Sequence, residues 1–220
     1  MKYEVNVSEV KNPKGNLKGF ASVVFDDSFK VSNITIMENR EGKMYISMPY
    51  YANSRDDENK DICHPITKEF RQELEGNIIQ SFEEYMYTGK RKYLVGNAKE
   101  QNMSFKVSVT PFEREGSNIC GLARIYFDDC FLINNVSLLR GKNGIFVSMP
   151  SYKTKQIDGN GKSVYKDICF PITKEFREKL NGVIMQAFER AREKRQDTAR
   201  EQGENFMQVP DMAEQDFPFR

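Results

Sequence analysis

A chain of 220 residues, 39% of them hydrophobic, has room for one or two domains and the material for their cores. With 33 basic residues against 32 acidic ones, whole-chain attraction to nucleic acid or to an anionic membrane is not indicated, and any such binding has to come from a local patch. No apolar run approaches the roughly 20 residues of a membrane span. Met1-Lys2-Tyr3-Glu4-Val5 has no signal-peptide character, and four cysteines without C-x-x-C spacing predict reduced thiols in a cytoplasmic protein.

Alternation at Tyr3, Val5 and Val7 predicts a half-buried strand. Gly19 to Phe25 follows, with Ala21, Val23 and Phe25 on one face. Asp26-Asp27 reads as a turn, because small acidic residues suit tight connections, and Phe29 and Val31 lie on the returning strand. Further strands are expected at 34–37 and 44–48 about a turn at Gly42; Pro49 then ends the sheet, since proline cannot donate to a ladder. A long polar loop leads to Asp61-Ile62-Cys63. Thr67 suits the N-cap of a helix whose apolar stripe is Phe70, Leu74, Ile78, Phe82 and Tyr85.

All of this then returns. Asp61 to Arg71 recurs as Asp167 to Arg177 with one difference in eleven positions, Phe170 standing for His64. Phe25-Asp26-Asp27 recurs as Phe127-Asp128-Asp129, and Ser47-Met48-Pro49 as Ser148-Met149-Pro150. Phe105, Val107 and Val109 repeat the first alternation; Ala123, Ile125 and Phe127 repeat the second strand's core face. Thr173 caps a second helix with Phe176, Leu180, Val183, Ile184, Phe188 and Ala191 as its stripe. The period is far longer than the roughly 20–50 residues of a solenoid unit, so a whole small domain is duplicated.

The predicted organisation is repeat 1 over 1–88, a linker over 89–101, repeat 2 over 102–195, and a polar to acidic segment, expected to be disordered, over 196–220. Phe206, Phe217 and Phe219 in that last segment are candidates for docking on a partner or on the body. The fold class is α+β: two repeats, each a small antiparallel sheet with one C-terminal helix. A linker of this length lets the halves pair within one chain as a pseudo-dimer, as a monomer or in a higher assembly built by sheet extension.

Candidate chemistry is sparse. The Asp26-Asp27 and Asp128-Asp129 pairs are read as turns rather than as acid–base or metal groups. His64 is the single histidine, and phenylalanine at the equivalent position points to a ring filling space at a helix entry rather than a catalytic base. One histidine and scattered cysteines do not make a zinc set, and Cys63 and Cys169 read as small buried hydrophobes. There is no Gly-rich phosphate loop and no nucleophile elbow. The chain is therefore expected to be no enzyme and to carry no cofactor or metal.

Met48-Pro49, Met149-Pro150-Ser151, Asp61-Ile62-Cys63-His64-Pro65-Ile66 and Asp167 to Ile172, each followed by a helix, resemble the stage V sporulation protein G (SpoVG) family of bacterial septation regulators. The resemblance covers nearly all of both repeats. It implies a small cytoplasmic module that dimerises by extending its sheet and binds nucleic acid as a non-enzymatic regulator of septation, sporulation or gene expression. After Met-Pro the family tends to read Ser-Lys-Arg-Thr. This chain has Ser151-Tyr152-Lys153-Thr154 in repeat 2 and Tyr50-Tyr51-Ala52-Asn53 in repeat 1, so nucleic-acid binding carries over to the second repeat alone.

The second long loop supports that assignment. Residues 152–166 hold Lys153, Lys155, Lys162 and Lys166 against Asp158 alone, flanked by Tyr152 and Tyr165; the first loop holds Arg55 and Lys60 against Asp56, Asp57 and Glu58. Lysines attract phosphates and tyrosine rings stack on exposed bases, so Tyr152, Lys153, Lys155, Lys162, Tyr165 and Lys166 are the candidate surface for DNA or RNA. The alternative is a protein-interaction or scaffold module that kept the fold and lost the binding.

Overall fold

The computed structural model describes residues 1–12, 15–52, 59–96, 103–112 and 116–202, with the backbone alone at 52 and 197–202. Repeat 1 runs β1 (Tyr3–Glu9), β2 (Leu17–Phe25), β3 (Phe29–Glu38), β4 (Met44–Ser47), β5 (Tyr50–Ala52), β6 (Asn59–Asp61), β7 (Cys63–Pro65) and α1 (Lys68–Thr88), followed by β8 (Lys92–Val95). Repeat 2 runs β9 (Phe105–Pro111), β10 (Ile119–Phe127), β11 (Phe131–Gly141), β12 (Gly144–Ser148), β13 (Ser151–Ile157), β14 (Ser163–Asp167), β15 (Cys169–Pro171) and α2 (Lys174–Gln202).

Each sheet is an antiparallel meander, β1-β2-β3-β4 and β9-β10-β11-β12, built as the alternation requires. Val5, Val23, Phe25, Ile125 and Phe127 are fully buried on the inner faces. Both Asp-Asp pairs sit in the left-handed region, with φ of 44° and 50° at Asp26 and Asp27 and 45° and 50° at Asp128 and Asp129. Positive φ at both central positions is the turn a two-stranded hairpin favours, and Asp tolerates it. Their carboxylates are engaged: Asp26 accepts the Met103 N–H at 3.0 Å, Asp128 accepts the Ser104 N–H at 2.8 Å, and Asp27 and Asp129 pair with Lys2 and Lys106.

The helices cover the inner faces. Thr67 and Thr173 cap them as expected, their hydroxyls accepting from the N–H groups of Phe70 and Phe176, both at 3.3 Å. Phe70, Leu74, Ile78 and Phe82 are buried from α1, and Leu180, Ile184 and Phe188 from α2.

The Cys-x-Pro segment is more than the helix entry the sequence pattern indicates. β7 pairs with β11 of the other repeat (Cys63 opposite Ile133, His64 opposite Leu132, Pro65 opposite Phe131). Reciprocally, β15 pairs with β3 (Cys169 opposite Val31, Phe170 opposite Lys30, Pro171 opposite Phe29). Backbone bonds extend both crossings, Asn134 N–H to Ile62 O and Ser32 N–H to Ile168 O among them. An Asn bulge in each long strand, at Asn33 (φ 62°) and Asn135 (φ 57°), separates the stretch that pairs with β4 or β12 from the stretch that pairs with the exchanged strand. Phenylalanines close the junction: Phe25 against Phe131 and Phe29 against Phe127, 4.9 and 4.8 Å between ring centroids. One hydrophobic cluster therefore runs through both repeats.

Three expectations are corrected. The long loops are hairpins, β5-β6 and β13-β14. The segment assigned as linker from residue 89 contains β8, which pairs with the open side of β1, Tyr93 opposite Val5; Tyr and Val have strand propensity, and an unpaired edge supplies the partner. The segment assigned as disordered from residue 196 is helical through Gln202, because Ala, Arg, Glu and Gln are strong helix formers without being apolar. Residues 203–220, with Phe206, Phe217 and Phe219, lie outside the described residues, as do 97–102. No helix among the described residues is long and apolar enough to cross a membrane.

Candidate nucleic-acid interface

Pro150 cannot extend the β12 ladder, so the chain turns there and begins a separate two-stranded ribbon, β13 and β14. Its base is tied to the body by the Ile168 N–H, which donates to Pro150 O at 2.8 Å. Its tip is organised by Asp158, whose carboxylate accepts the N–H groups of Asn160 (2.9 Å) and Lys162 (2.8 Å), while Gly161 takes φ 76°. The lone aspartate of the loop is thus used in its own turn, the local role such side chains have at bends.

Pairing register decides which side chains share a face. Tyr152 stands opposite Lys166, and Lys153 opposite Tyr165, so the first pair faces one way and the second the other. The Tyr152 ring packs against the hydrophobic core, which turns its face toward the body. The Thr154 hydroxyl bonds Val164 O at 2.9 Å across the ribbon and holds the two strands together. Lys153 and Tyr165 point outward, with Tyr165 40% exposed.

The six candidate residues are therefore gathered on one ribbon but not on one face. Lys153 and Tyr165 form an exposed cross-strand pair. Lys155 lies in the stretch where β13 is irregular, and Lys162 in the tip turn, both exposed. Lys166 is exposed on the Tyr152 face. Among the described residues no ion pair engages any of these four lysines. Sequence reading missed Ile157, 70% exposed beside the tip; its signal was the unbroken strand-compatible run from Ser151 to Ile157, which was assigned to a loop.

At the base, burial raises the Asp167 carboxyl above its usual range while the Arg177 guanidinium opposes the shift. Arg177 itself donates to Pro171 O at 2.8 Å, as Arg71 does to Pro65 O at 2.7 Å. In repeat 1 the equivalent ribbon pairs Tyr50 with Asp61 and Tyr51 with Lys60, and Tyr51 is buried where Tyr152 is half-buried. Arg55, Asp56, Asp57 and Glu58 lie outside the described residues.

His64 lies on β7, opposite Leu132 of the other repeat. Its Nδ1 is buried without a hydrogen bond, 3.7 Å from Asp61 Oδ2. Burial lowers its pKa, Asp61 opposes that, and Arg71 adds to it. Cys63 and Cys169, both fully buried, face each other where the exchanged strands meet, and burial raises the Cys63 thiol well above its usual value with Cys169 contributing. Among the described residues no group of three or more His, Cys, Asp or Glu side chains is placed to hold a metal ion.

Comparison with known proteins agrees with this architecture. The family model of SpoVG matches residues 1–84 and again 103–190. A relative named as a candidate septation protein, SpoVG, in Treponema denticola is 39% identical over 75 residues, 34% of this chain and 74% of that protein. The protein so named in Thermoanaerobacter sp. is 32% identical over 87 residues, 40% of this chain and 87% of that one. Its namesake in Borrelia hermsii is 36% identical over 73 residues, 33% and 70% of the two chains. Two successive matches to the family model, two meanders each followed by a helix, and the Asp-Ile-Cys segments in equivalent places lead to one conclusion: the chain belongs to the SpoVG family, with the family's domain present twice in tandem.

Proposed function

We propose that this chain is a non-enzymatic regulator of the septation-protein type that binds nucleic acid through the β13-β14 ribbon of its second repeat. The observation that carries the reading is the Lys153–Tyr165 pair: a cation and an aromatic ring opposite each other, exposed, on a two-stranded ribbon separate from the main sheets. A narrow ribbon enters a groove or lies along a single strand, its lysines replacing condensed counterions and its ring stacking on a base. Lys155 and Lys162 extend the basic surface toward the tip, and the acid of that tip, Asp158, accepts from backbone amides.

The competing reading is a scaffold that keeps the fold without the nucleic acid. It is favoured by the near-neutral chain and by the first ribbon, where Ala52 and Asn59 stand in the places of Lys153 and Tyr165. Titration of labelled single-stranded and duplex DNA and RNA across salt concentrations separates the two. The binding reading expects affinity that falls with salt, with a log–log slope up to about −4 on duplex DNA when all four lysines meet phosphates. Absence of binding at low salt leaves the scaffold reading.

A further inference from the structure

Ile157 stands 70% exposed at the end of β13, and the pairing register fixes what lies beside it. Lys153 is opposite Tyr165 and Ile157 is opposite Ser163, so four steps along β13 match two along β14. The surplus is Lys155 and Gln156. Thr154 bonds across to Val164 O at 2.9 Å and closes the bulge on its own strand by accepting the Gln156 N–H at 3.2 Å. Ser163 and Tyr165 lie two apart on the regular strand and share a face. Ile157 therefore stands on the face of the Lys153–Tyr165 pair, not on the face of Tyr152.

That outward face carries two apolar groups, Tyr165 and Ile157, at diagonal positions of the ribbon, about 7–8 Å apart. A planar ring lying between two side chains needs about 3.5–4 Å of van der Waals contact on each side, which is the same width. Lys153 and Ser163 hold the other two corners, a cation and a hydroxyl. Lys155 in the bulge and Lys162 in the turn flank the Ile157 end, both exposed. The turn beyond Ile157 is fixed. The Asp158 N–H donates to Lys162 O at 2.8 Å, the Gly161 N–H donates to Asp158 O at 3.0 Å, and the Asp158 carboxylate holds the Asn160 and Lys162 amides. A slot set before binding loses less entropy when it is filled.

We infer, building on the nucleic-acid reading of this ribbon, that Tyr165 and Ile157 grip one unpaired nucleobase between them, so that the ligand is single-stranded nucleic acid rather than duplex. The tyrosine ring supplies a stacking face, Ile157 covers the other face of the base, and Ser163 meets its polar edge. The lysines at both ends of the slot meet the flanking phosphates. A base inside a duplex is stacked on both faces and has to leave the stack before it can enter. In repeat 1, β6 offers Asn59 where β14 offers Tyr165, which confines the grip to repeat 2.

Anisotropy titrations of the full chain test this, with a labelled mixed-sequence strand of about 12 nucleotides, as DNA and as RNA, and with the matching duplexes. The DNA and RNA arms distinguish the two sources of an unpaired base, and the expected pattern in either carries the inference. Ile157→Ser should weaken single-strand binding about tenfold, leave its salt slope unchanged because no charge is removed, and leave duplex binding unaltered. Ile157→Leu should bind the strand as wild type does, and equal urea midpoints report an intact fold in all three proteins. Single-strand binding that Ile157→Ser leaves unchanged, or a loss equal on strand and duplex, overturns the inference while the ribbon remains a binding surface. Absence of binding by every probe at low salt removes the ribbon reading and the inference with it.

Discussion

Phe25 and Phe131 meet ring to ring, 4.9 Å between centroids, and Phe29 and Phe127 repeat the contact at 4.8 Å from the opposite halves. The two repeats therefore share four of their largest buried side chains, each of them fully buried. A small α+β unit of this size has a thin core by itself, and the contact joins two thin cores into one. Phe131→Ala is expected to cost about 3–5 kcal/mol and to destabilise both halves together. Urea unfolding followed by amide signals from each repeat checks this; a repeat 1 that keeps its midpoint would show that the halves fold independently.

Close packing singles out one glycine. A Cβ on Gly19 would stand 2.5 Å from Phe82 Cε2 and 2.6 Å from the Ser8 carbonyl oxygen, whereas on Gly121 it would stand 3.0 Å from Phe188 Cε2. Gly19→Ala must displace backbone or the helix and is expected to cost about 1–3 kcal/mol. Gly121→Ala should cost less, since the ring there stands further off and the nearest backbone atom, the Thr110 carbonyl oxygen, is 3.4 Å away. Thermal or urea denaturation of the two variants gives the order directly.

His64 makes stability depend on pH. Burial, foremost, lowers its pKa from 6.5, so the folded state binds the proton less tightly than the unfolded chain does. As pH falls through 6.5 the unfolded state takes up more proton, and folding stability is lost until the folded-state pKa is passed. His64→Phe, the residue already present at position 170, removes this term. Urea midpoints at pH 7.5 and pH 5 should fall further for wild type than for the variant, and equal changes would contradict the burial argument.

The ribbon separates two tyrosines by role. Tyr165 faces outward beside Lys153, and Tyr152 leans on the core. Tyr165→Ala should weaken single-strand binding by about 1–3 kcal/mol with little change in stability; Tyr152→Ala should lower stability instead. Lys153→Ala with Lys155→Ala should flatten the salt slope, and Arg55→Ala with Lys60→Ala should leave it unchanged. Filter binding across salt, paired with denaturation curves, resolves all four, and equal binding by the two double variants would remove the ribbon as the site.

Much of this molecule is determined along the chain itself. Alternation at Tyr3, Val5 and Val7 and at Ala21, Val23 and Phe25 assigns the inner faces, because a strand's period of two leaves one choice of buried side. Thr67 and Thr173 mark helix starts through local hydrogen bonds, and the Asp-Asp pairs mark turns through backbone preference; neither depends on distant residues. The gathering of basic residues between Tyr152 and Lys166 is likewise visible as composition.

Partner choice was decided only in three dimensions. Cys63-His64-Pro65 is too short to show a period, and it becomes a strand because the other repeat offers the Phe131–Ile133 edge. Lys92–Val95 is a strand because β1 has an unpaired side. Tyr152 and Tyr165 are the same residue type in similar surroundings, and only the pairing of Lys153 with Tyr165 turns one inward and the other out. Hydrogen-bonding edges and register are relations between segments far apart in sequence, so no local pattern encodes them.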